Sequence, residues 1–566
     1  MKTADNQRLR HVYIIFALLF LALFLRIGYL QIFRKTFFNK LSQSQYYKIL
    51  PLEGRRGDIL DCRGRVLAAS LSCYSVFADP VLVENPESSA KLLAPLVGIS
   101  EDRVLNKLKR KGRFVWLKRK ISFDDKQKIK ALKIKGLGFI REEKRFYPQE
   151  EIGSSVLGVV DVDDKGLDGL EVFYDTYLRG KEGLTRVLRD SASRNVLLSP
   201  SIMNPEPGGR LILTVDSQIQ YWSDTYLQET VKAYGAKAGS VVVMNADTGE
   251  IFALSNFPTF NPNQRDTLNR ATMRNGAVCD IFEPGSVFKM ITLVAAIDKK
   301  AFRDDEIIFC ENGQYKIPGH ILHDWKPYGN LTFRGVFHKS SNIGVGKINE
   351  RLGPVVSYDY ISRFGAGKKT DIDLPGEAVG RLKPLKEWSK TTPYMIPIGQ
   401  EISVNLVQLT RAFAVVVNGG YMVKPHILKK IIFSASTKET PLEHTQIVSA
   451  ETANHAKDVL VEVVEEGTGV KAKIDGIRVG GKTGTAQKFD PAIGRYSSSR
   501  FRASFVGFVE TNPPLVIGVS VDEPAKSHFG GVVAAPLFQK IAAKSIEYLT
   551  GKKVANDQDK EFPTSE

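Results

Sequence analysis

Apolar residues run without interruption from Val12 to Leu25, and with Arg26 accommodated the stretch reaches Phe33. That is roughly the 20 residues a helix needs to cross a bilayer. Lys2, Arg8 and Arg10 precede the run, and Arg26-Ile27-Gly28-Tyr29-Leu30 offers no small-x-small cleavage site. The pattern predicts an uncleaved signal-anchor over 12–33, with 1–11 cytoplasmic. Everything beyond it is expected on the outer side, because a long following domain is translocated largely regardless of flanking charge. Arg26 lies near the outer end, where a long cationic side chain can snorkel to the interface. No second apolar stretch of that length follows, so a single pass is expected.

After the span, Phe37 to Leu50 is polar-aromatic and reads as a helix leading away from the membrane. Glycines around Ile59-Leu60 and Val66-Leu67 predict a strand, a tight turn and a returning strand between Gly54 and Ala68. From Glu101 to Lys135, Lys and Arg recur at helix-like spacing, as on a solvated helical face or a polymer-binding surface. Gly166 to Gly180 places turn glycines around a short amphipathic helix. Pro200 to Gly209 holds three prolines and two glycines and is the best linker in the chain. An elongated mixed domain is therefore expected over 34–209.

Beyond that linker the elements lengthen. Ile212 to Val215 leads into Asp216, a cap for an amphipathic helix to about Ala233. Ser240–Met244 and Glu250–Leu254 flank Asp247-Thr248-Gly249, a hairpin with its turn residues in place. Further strands are expected over Ile477–Ala486, Ala503–Glu510 and Leu515–Val521, and a closing helix from about Ala535 to Leu549. Five antiparallel strands enclosing a helical insertion between Ile281 and Gly469 define an α/β (α+β) domain over 210–550, followed by a polar tail, 551–566.

Composition adds two constraints. The 566 residues are 43% hydrophobic and 25% charged, a globular balance, and the net charge of +17 favours anionic partners. An anchored chain facing outward makes nucleic acid a poor one. The four cysteines, Cys62, Cys73, Cys279 and Cys310, have no metal-ligand spacing. Cys62 and Cys73 are near enough in sequence to pair in an oxidising compartment, or to remain free thiols.

Three motifs then occur in one order. In the first, Glu283-Pro284-Gly285 precedes Ser286, and Lys289 follows one turn later at the head of an apolar helix. A serine at a helix start lies near orphan backbone N–H groups that favour a developing anion. A lysine on the same face, followed by apolar residues, can be desolvated until its free amine serves as a base. Ser-x-x-Lys also arises by chance, as Ser88-Ser89-Ala90-Lys91 shows. In the second motif, Ser340-Ser341-Asn342, a hydroxyl and an amide stand side by side, able to relay a proton and orient a base, or simply to cap a helix. In the third, Lys482-Thr483-Gly484-Thr485 lies in a strand, where a glycine permits close approach and a lysine with two threonines can hold a carboxylate. The backbone N–H groups of Ser286 and Thr485 are candidates for an oxyanion hole. The ordered set points to acyl transfer.

With these motifs the chain resembles the class B penicillin-binding proteins, most closely the division-specific peptidoglycan D,D-transpeptidases (penicillin-binding protein 3 type). Arg56-Gly57 through Asp61-Cys62-Arg63-Gly64 and Gly169-x-Glu171 resemble that family's pedestal, or dimerisation-like, domain. Asn269-Arg270-Ala271, Gly365-Ala366-Gly367, Asp373-Leu374-Pro375-Gly376-Glu377, Asn418-Gly419-Gly420, Gly467-Thr468-Gly469, and Gly530-Gly531 with Ala534-Ala535-Pro536 resemble its transpeptidase/β-lactamase-like domain. The resemblance implies that Ser286 attacks a stem-peptide D-alanine carbonyl with Lys289 as base. It implies a proton relay at Ser340 and Asn342, and substrate binding by Lys482, Thr483, Gly484 and Thr485.

It further implies β-lactam acylation of Ser286, no metal or organic cofactor, and a place in the bacterial cytoplasmic membrane with the enzyme domain outside, at the division septum. The implied partners are stem peptides, a polytopic membrane glycosyltransferase and other division proteins. Two departures, Gly399-Gln400-Glu401 and Cys62, are expected to lie away from the chemistry. An elongation-type transpeptidase, a β-lactam hydrolase or sensor, and a non-enzymatic scaffold on the same fold are the competing readings.

Overall fold

Ala238–Asn245 is buried on both faces, and the side to which successive residues point explains the layers of the molecule. Val241 and Val243 enter one core, Val242 and Met244 the other, as successive side chains of a strand must. The computed structural model describes residues 2–38, 47–52, 54–189, 195–490 and 494–551. The chain divides into two compact units, Met1–Arg55 with Arg179–Gly208, and Arg56–Leu178 with Gly209–Glu566.

The first unit holds the helix Lys2–Ile32 and a three-stranded antiparallel sheet in the order Tyr47–Leu52, Gly183–Arg189, Asn195–Met203. Within that helix, Gln7–Ile32 has a mean hydropathy of 2.3 and no side packed against protein, which fits a membrane anchor. The expected helix over Phe37–Leu50 differs at its far end: residues 35–38 are helical, 39–46 lie outside the described residues, and Tyr47–Leu52 is a strand whose Pro51 suits extended backbone. The linker around Pro200 is also ordered differently. Pro200 sits inside an edge strand, where a missing N–H is tolerated, and Lys181 and Glu206 bridge beyond it.

In the second unit the expected strand–turn–strand appears as Ile59–Leu60 and Val66–Ala78. Asp61 closes the turn by accepting from the Arg63 and Arg65 N–H groups, and Gly64 takes φ +84°. These strands join a seven-stranded sheet that also contains Arg210–Leu213 and Leu428–Ile432. The basic stretch from Glu101 to Lys135 is not one helical face. It is helix Glu101–Leu108, strand Val115–Ile121 and helix Phe123–Ala131, because Val115, Leu117 and Ile121 point into a small core with Val76 and Leu93. Glu171, fully buried, accepts from Arg56 (2.7 Å), Arg145 (2.6 Å) and Tyr147 (3.2 Å). Breaking such a buried pair by removing one partner generally costs about 3–5 kcal/mol, which explains why this cluster anchors the pedestal. The cysteines are free thiols, Cys62 lying against Asp216 rather than bonded to Cys73.

The expected five-stranded sheet is present. Its strands are β1 (Ala238–Asn245), β2 (Ile251–Phe257), β3 (Val479–Asp490), β4 (Arg495–Val509) and β5 (Leu515–Asp522), in the antiparallel order β2-β1-β5-β4-β3. On one face lie α1 (Ser217–Ala233), capped by Asp216, and the closing helix Gly530–Thr550. The opposite face packs on α2 (Lys289–Asp298), α3 (Asn342–Leu352) and α4 (Leu406–Val417) within the helical insertion. Helix α4 is apolar on nearly every side because it is enclosed by core, and its start is fixed by an Asn405–Gln408 capping box. β3 is an edge strand, so its outer backbone groups are not used by the ladder.

Candidate active site

Ser286 stands in a 3-10 turn, Gly285–Phe288, that feeds directly into α2. Gly285 has φ +56°, a conformation that favours glycine, and the neighbouring turns press against it. A Cβ on Gly399 would come within 2.2 Å of the Gly285 carbonyl oxygen, and one on Gly484 within 2.9 Å of the Pro284 carbonyl. Gly484 thus lets β3 approach the serine turn, and it is not among the residues lining the cavity. Ser286 itself is half-buried.

Lys289 is fully buried at the head of α2. Its Nζ donates to the Ser340 carbonyl at 2.6 Å and to Asn342 Oδ1 at 2.7 Å, with Ser340 Oγ at 3.3 Å. The Asn342 amide is oriented by its own Nδ2, which donates to the His323 carbonyl at 2.9 Å. Burial lowers the Lys289 pKa to about 7, against a smaller opposing pull from Asp324. An uncharged amine has two N–H donors and one lone pair. The two close acceptors use the donors and leave the lone pair free to take a proton.

The Ser340 segment is held by a residue with no signal in the sequence. Asp324 accepts from Ser341 Oγ (2.6 Å), from the Asn342 N–H, and from the Ile343 N–H (3.1 Å). A carboxylate there satisfies the orphan donors at the start of α3 and favours the helix dipole. Ser340, with φ +57°, sits in the tight connection before it. Ser341 is the cap, its Oγ accepting from the Gly344 N–H.

On β3, Thr483 Oγ1 lies 2.9 Å from Thr468 Oγ1, and Thr485 Oγ1 accepts from the Gly530 N–H at 3.1 Å. Lys482, expected to help hold a carboxylate, does not reach the cavity surface. It is 1% exposed, and its Nζ lies 3.5 Å from Thr468 Oγ1 and from Thr483 Oγ1, behind the hydroxyls rather than on the wall. Burial, and then the nearby Lys289 charge, push its pKa well below the ordinary lysine range.

Ser286, Ser340, Asn342, Thr483 and Thr485 line one cavity of about 650 Å³ together with Gln400 and Thr468. An aromatic side is formed by Phe501, whose ring stacks on His528 at 4.3 Å, and by Phe529 beside it. Segments numbered near 286, 340 and 483 therefore share one space. The second Ser-x-x-Lys does not join them, since Ser88 and Lys91 are exposed on the pedestal helix Pro86–Val97. One expectation is corrected. The Gly399-Gln400-Glu401 departure does touch the site, because Gln400 lines the cavity. Glu401 holds φ +59°, where glycine is favoured, fixed by its N–H on Glu283 (3.0 Å) and by Lys383 (2.9 Å). Among the described residues, no group of three or more His, Cys, Asp or Glu side chains is placed to hold a metal ion.

The penicillin binding protein transpeptidase domain model matches residues 239–543, and the penicillin-binding protein dimerisation domain model matches residues 51–213. The chain belongs to the class B penicillin-binding proteins. This penicillin-binding protein is 34% identical over 96% of its length to the probable peptidoglycan D,D-transpeptidase PenA of Neisseria meningitidis, covering 93% of that relative. It is likewise 34% identical to the stage V sporulation protein D of Bacillus subtilis (98% of this chain, 88% of the relative). The peptidoglycan D,D-transpeptidase FtsI of Escherichia coli is 30% identical over 91% of this chain and 87% of its own. Among solved structures, penicillin binding protein 3 of Mycobacterium tuberculosis complexed with aztreonam superposes with a TM-score of 0.70 at 29% identity, covering 90% of this chain and 98% of that one. Penicillin binding protein 2X of Streptococcus thermophilus shares the fold, with a TM-score of 0.73 at 24% identity over 89% of this chain and 80% of that one.

Proposed function

We propose that this D,D-transpeptidase cross-links peptidoglycan through an acyl-enzyme on Ser286. The observation that carries the reading is the amine of Lys289. It is buried, its pKa is lowered to about 7 so that a large fraction is uncharged at neutral pH, and it is hydrogen-bonded to Ser340 and Asn342 beside the cavity that Ser286 lines. In acylation the Ser286 proton passes to the Lys289 lone pair as Oγ bonds to the carbonyl carbon of the penultimate D-alanine. The oxyanion is held by the Ser286 and Thr485 N–H groups, each such donor being worth about 2.7–4 kcal/mol. The C–N bond then breaks, and the departing D-alanine amine gains a proton relayed through Ser340. An amine of a second stem attacks the ester, forms the new peptide bond, and returns a proton to Ser286 Oγ. Thr483 and Thr485 take the donor's terminal carboxylate, with Lys482 polarising Thr483 from behind.

A β-lactam presents the same carbonyl and carboxylate, so it should acylate the same oxygen. Mass spectrometry of the penicillin adduct tests this directly. The expected mass increment is on the peptide containing Ser286, and an adduct on any other residue overturns the assignment. Rapid turnover of a chromogenic β-lactam would instead indicate a hydrolase.

A septal site on the outer face of the cytoplasmic membrane is the cellular role we assign, supported by the anchor helix and by likeness to FtsI. Glycan polymerisation then falls to a separate membrane glycosyltransferase. A fluorescent fusion should concentrate at the constriction, and uniform lateral-wall signal would favour the elongation role.

A further inference from the structure

Among the described residues, the cavity wall carries one lysine and no other aliphatic or guanidinium cation, and no aspartate or glutamate lines it. That lysine is Lys471, exposed in the turn Val470–Ala472, three residues after Thr468. The turn is tied to β3 where Thr468 meets the Thr483 hydroxyl at 2.9 Å. Among the described residues, no carboxylate pairs with Lys471. Elsewhere on this basic protein, exposed lysines such as Lys109, Lys135 and Lys181 have found carboxylates. Lys482, by contrast, is enclosed behind Thr483 and presents no ammonium to a ligand.

We propose that Lys471 is a specificity residue for the donor. Its ammonium meets the donor's terminal carboxylate, or the ring carboxylate of a β-lactam, from the cavity side, while the Thr483 and Thr485 hydroxyls hold that group from the strand. The division of labour follows from burial. A carboxylate leaving water needs hydrogen-bond donors and a counter-charge, and charge-assisted contacts are the stronger ones. The threonines supply donors, and Lys471 is the charge available on the same wall. Such a rim cation acts mainly on encounter and on discrimination between charged and neutral ligands, and it is screened by salt.

The inference rests on Ser286 being the acylated residue, and the test separates the two. Lys471→Gln, Lys471→Glu and Lys471→Arg are made in the full-length chain in detergent. Acylation rate constants are measured with a thioester donor bearing a free terminal carboxylate and with its carboxamide counterpart. For the acid, Lys471→Gln is expected to slow acylation about 3- to 5-fold, the upper part of the range of exposed ion pairs. Lys471→Glu should slow it about 10-fold or more, because repulsion replaces attraction. Lys471→Arg should stay near wild type, and the carboxamide should be unaffected by all three. The gap between Lys471→Glu and wild type should narrow as ionic strength rises. Equal losses on acid and amide, or an unchanged rate in Lys471→Glu while the wild type still carries its adduct on Ser286, overturns the role of Lys471 alone. A wild-type adduct elsewhere overturns the underlying reading.

Discussion

Ser286→Ala is expected to abolish covalent labelling by a fluorescent penicillin while the thermal unfolding midpoint stays close to that of the parent chain. The hydroxyl is half-buried at the cavity wall, and its removal opens no apolar void, so a stability change within about 0.5 kcal/mol is anticipated. The loss of labelling is total rather than partial, because the covalent bond itself requires Oγ. The neighbouring hydroxyls of Ser340 and Ser341 do not substitute. Ser341 is engaged as a helix cap and bonded to Asp324, and Ser340, although it lines the same cavity, has its Oγ 3.3 Å from the Lys289 amine, in the place assigned to proton relay. Labelling that survived in Ser286→Ala would move the nucleophile to another residue and dismantle the proposed chemistry.

Lys289→Ala should slow acylation by at least about 10²–10⁴-fold, the range attributed to general-base assistance. Lys289→Arg should not restore the rate, since a guanidinium stays protonated throughout the working range. The sign of the pH dependence follows from the depressed pKa. Below about 7 the amine is protonated and has no lone pair to accept the serine proton, so acylation is slow. As pH rises through about 7 the free base forms, and the acylation rate constant should climb to a plateau. Stopped-flow acylation between pH 5.5 and 9 reads this out. A flat profile through that window, or near-normal acylation in Lys289→Ala, would remove Lys289 from the role of base.

Much of the catalytic domain was readable in advance. The Asp247-Thr248-Gly249 turn, the Asp216 cap and the closing helix all rest on local chemistry that the surrounding fold does not oppose. The pedestal was less readable, and for a physical reason. Val115–Ile121 is embedded in lysines and arginines, and its strand character comes from pairing with Val66–Ala78 and from a core assembled by distant helices. Tyr47–Leu52 likewise became a strand by pairing with Gly183–Arg189, which lies more than 130 positions away.

At the site, the spacing of Ser286 and Lys289 already pointed to the serine and amine proposed here as nucleophile and base, because both lie on one turn. The position of Gly467-Thr468-Gly469 was also visible, although not what Thr468 touches. Asp324 and Gln400 could not be foreseen, since each acts through contacts with segments far off in sequence. The sequence by itself determined the anchor, the order of the three motifs and the strands that carry them, because those depend on local periodicity and residue type. Only the tertiary structure decided which lysine is exposed and which is buried. Charge state and reach depend on the dielectric surroundings that distant segments create, and there Lys289 and Lys482 lie enclosed while Lys471 meets the cavity.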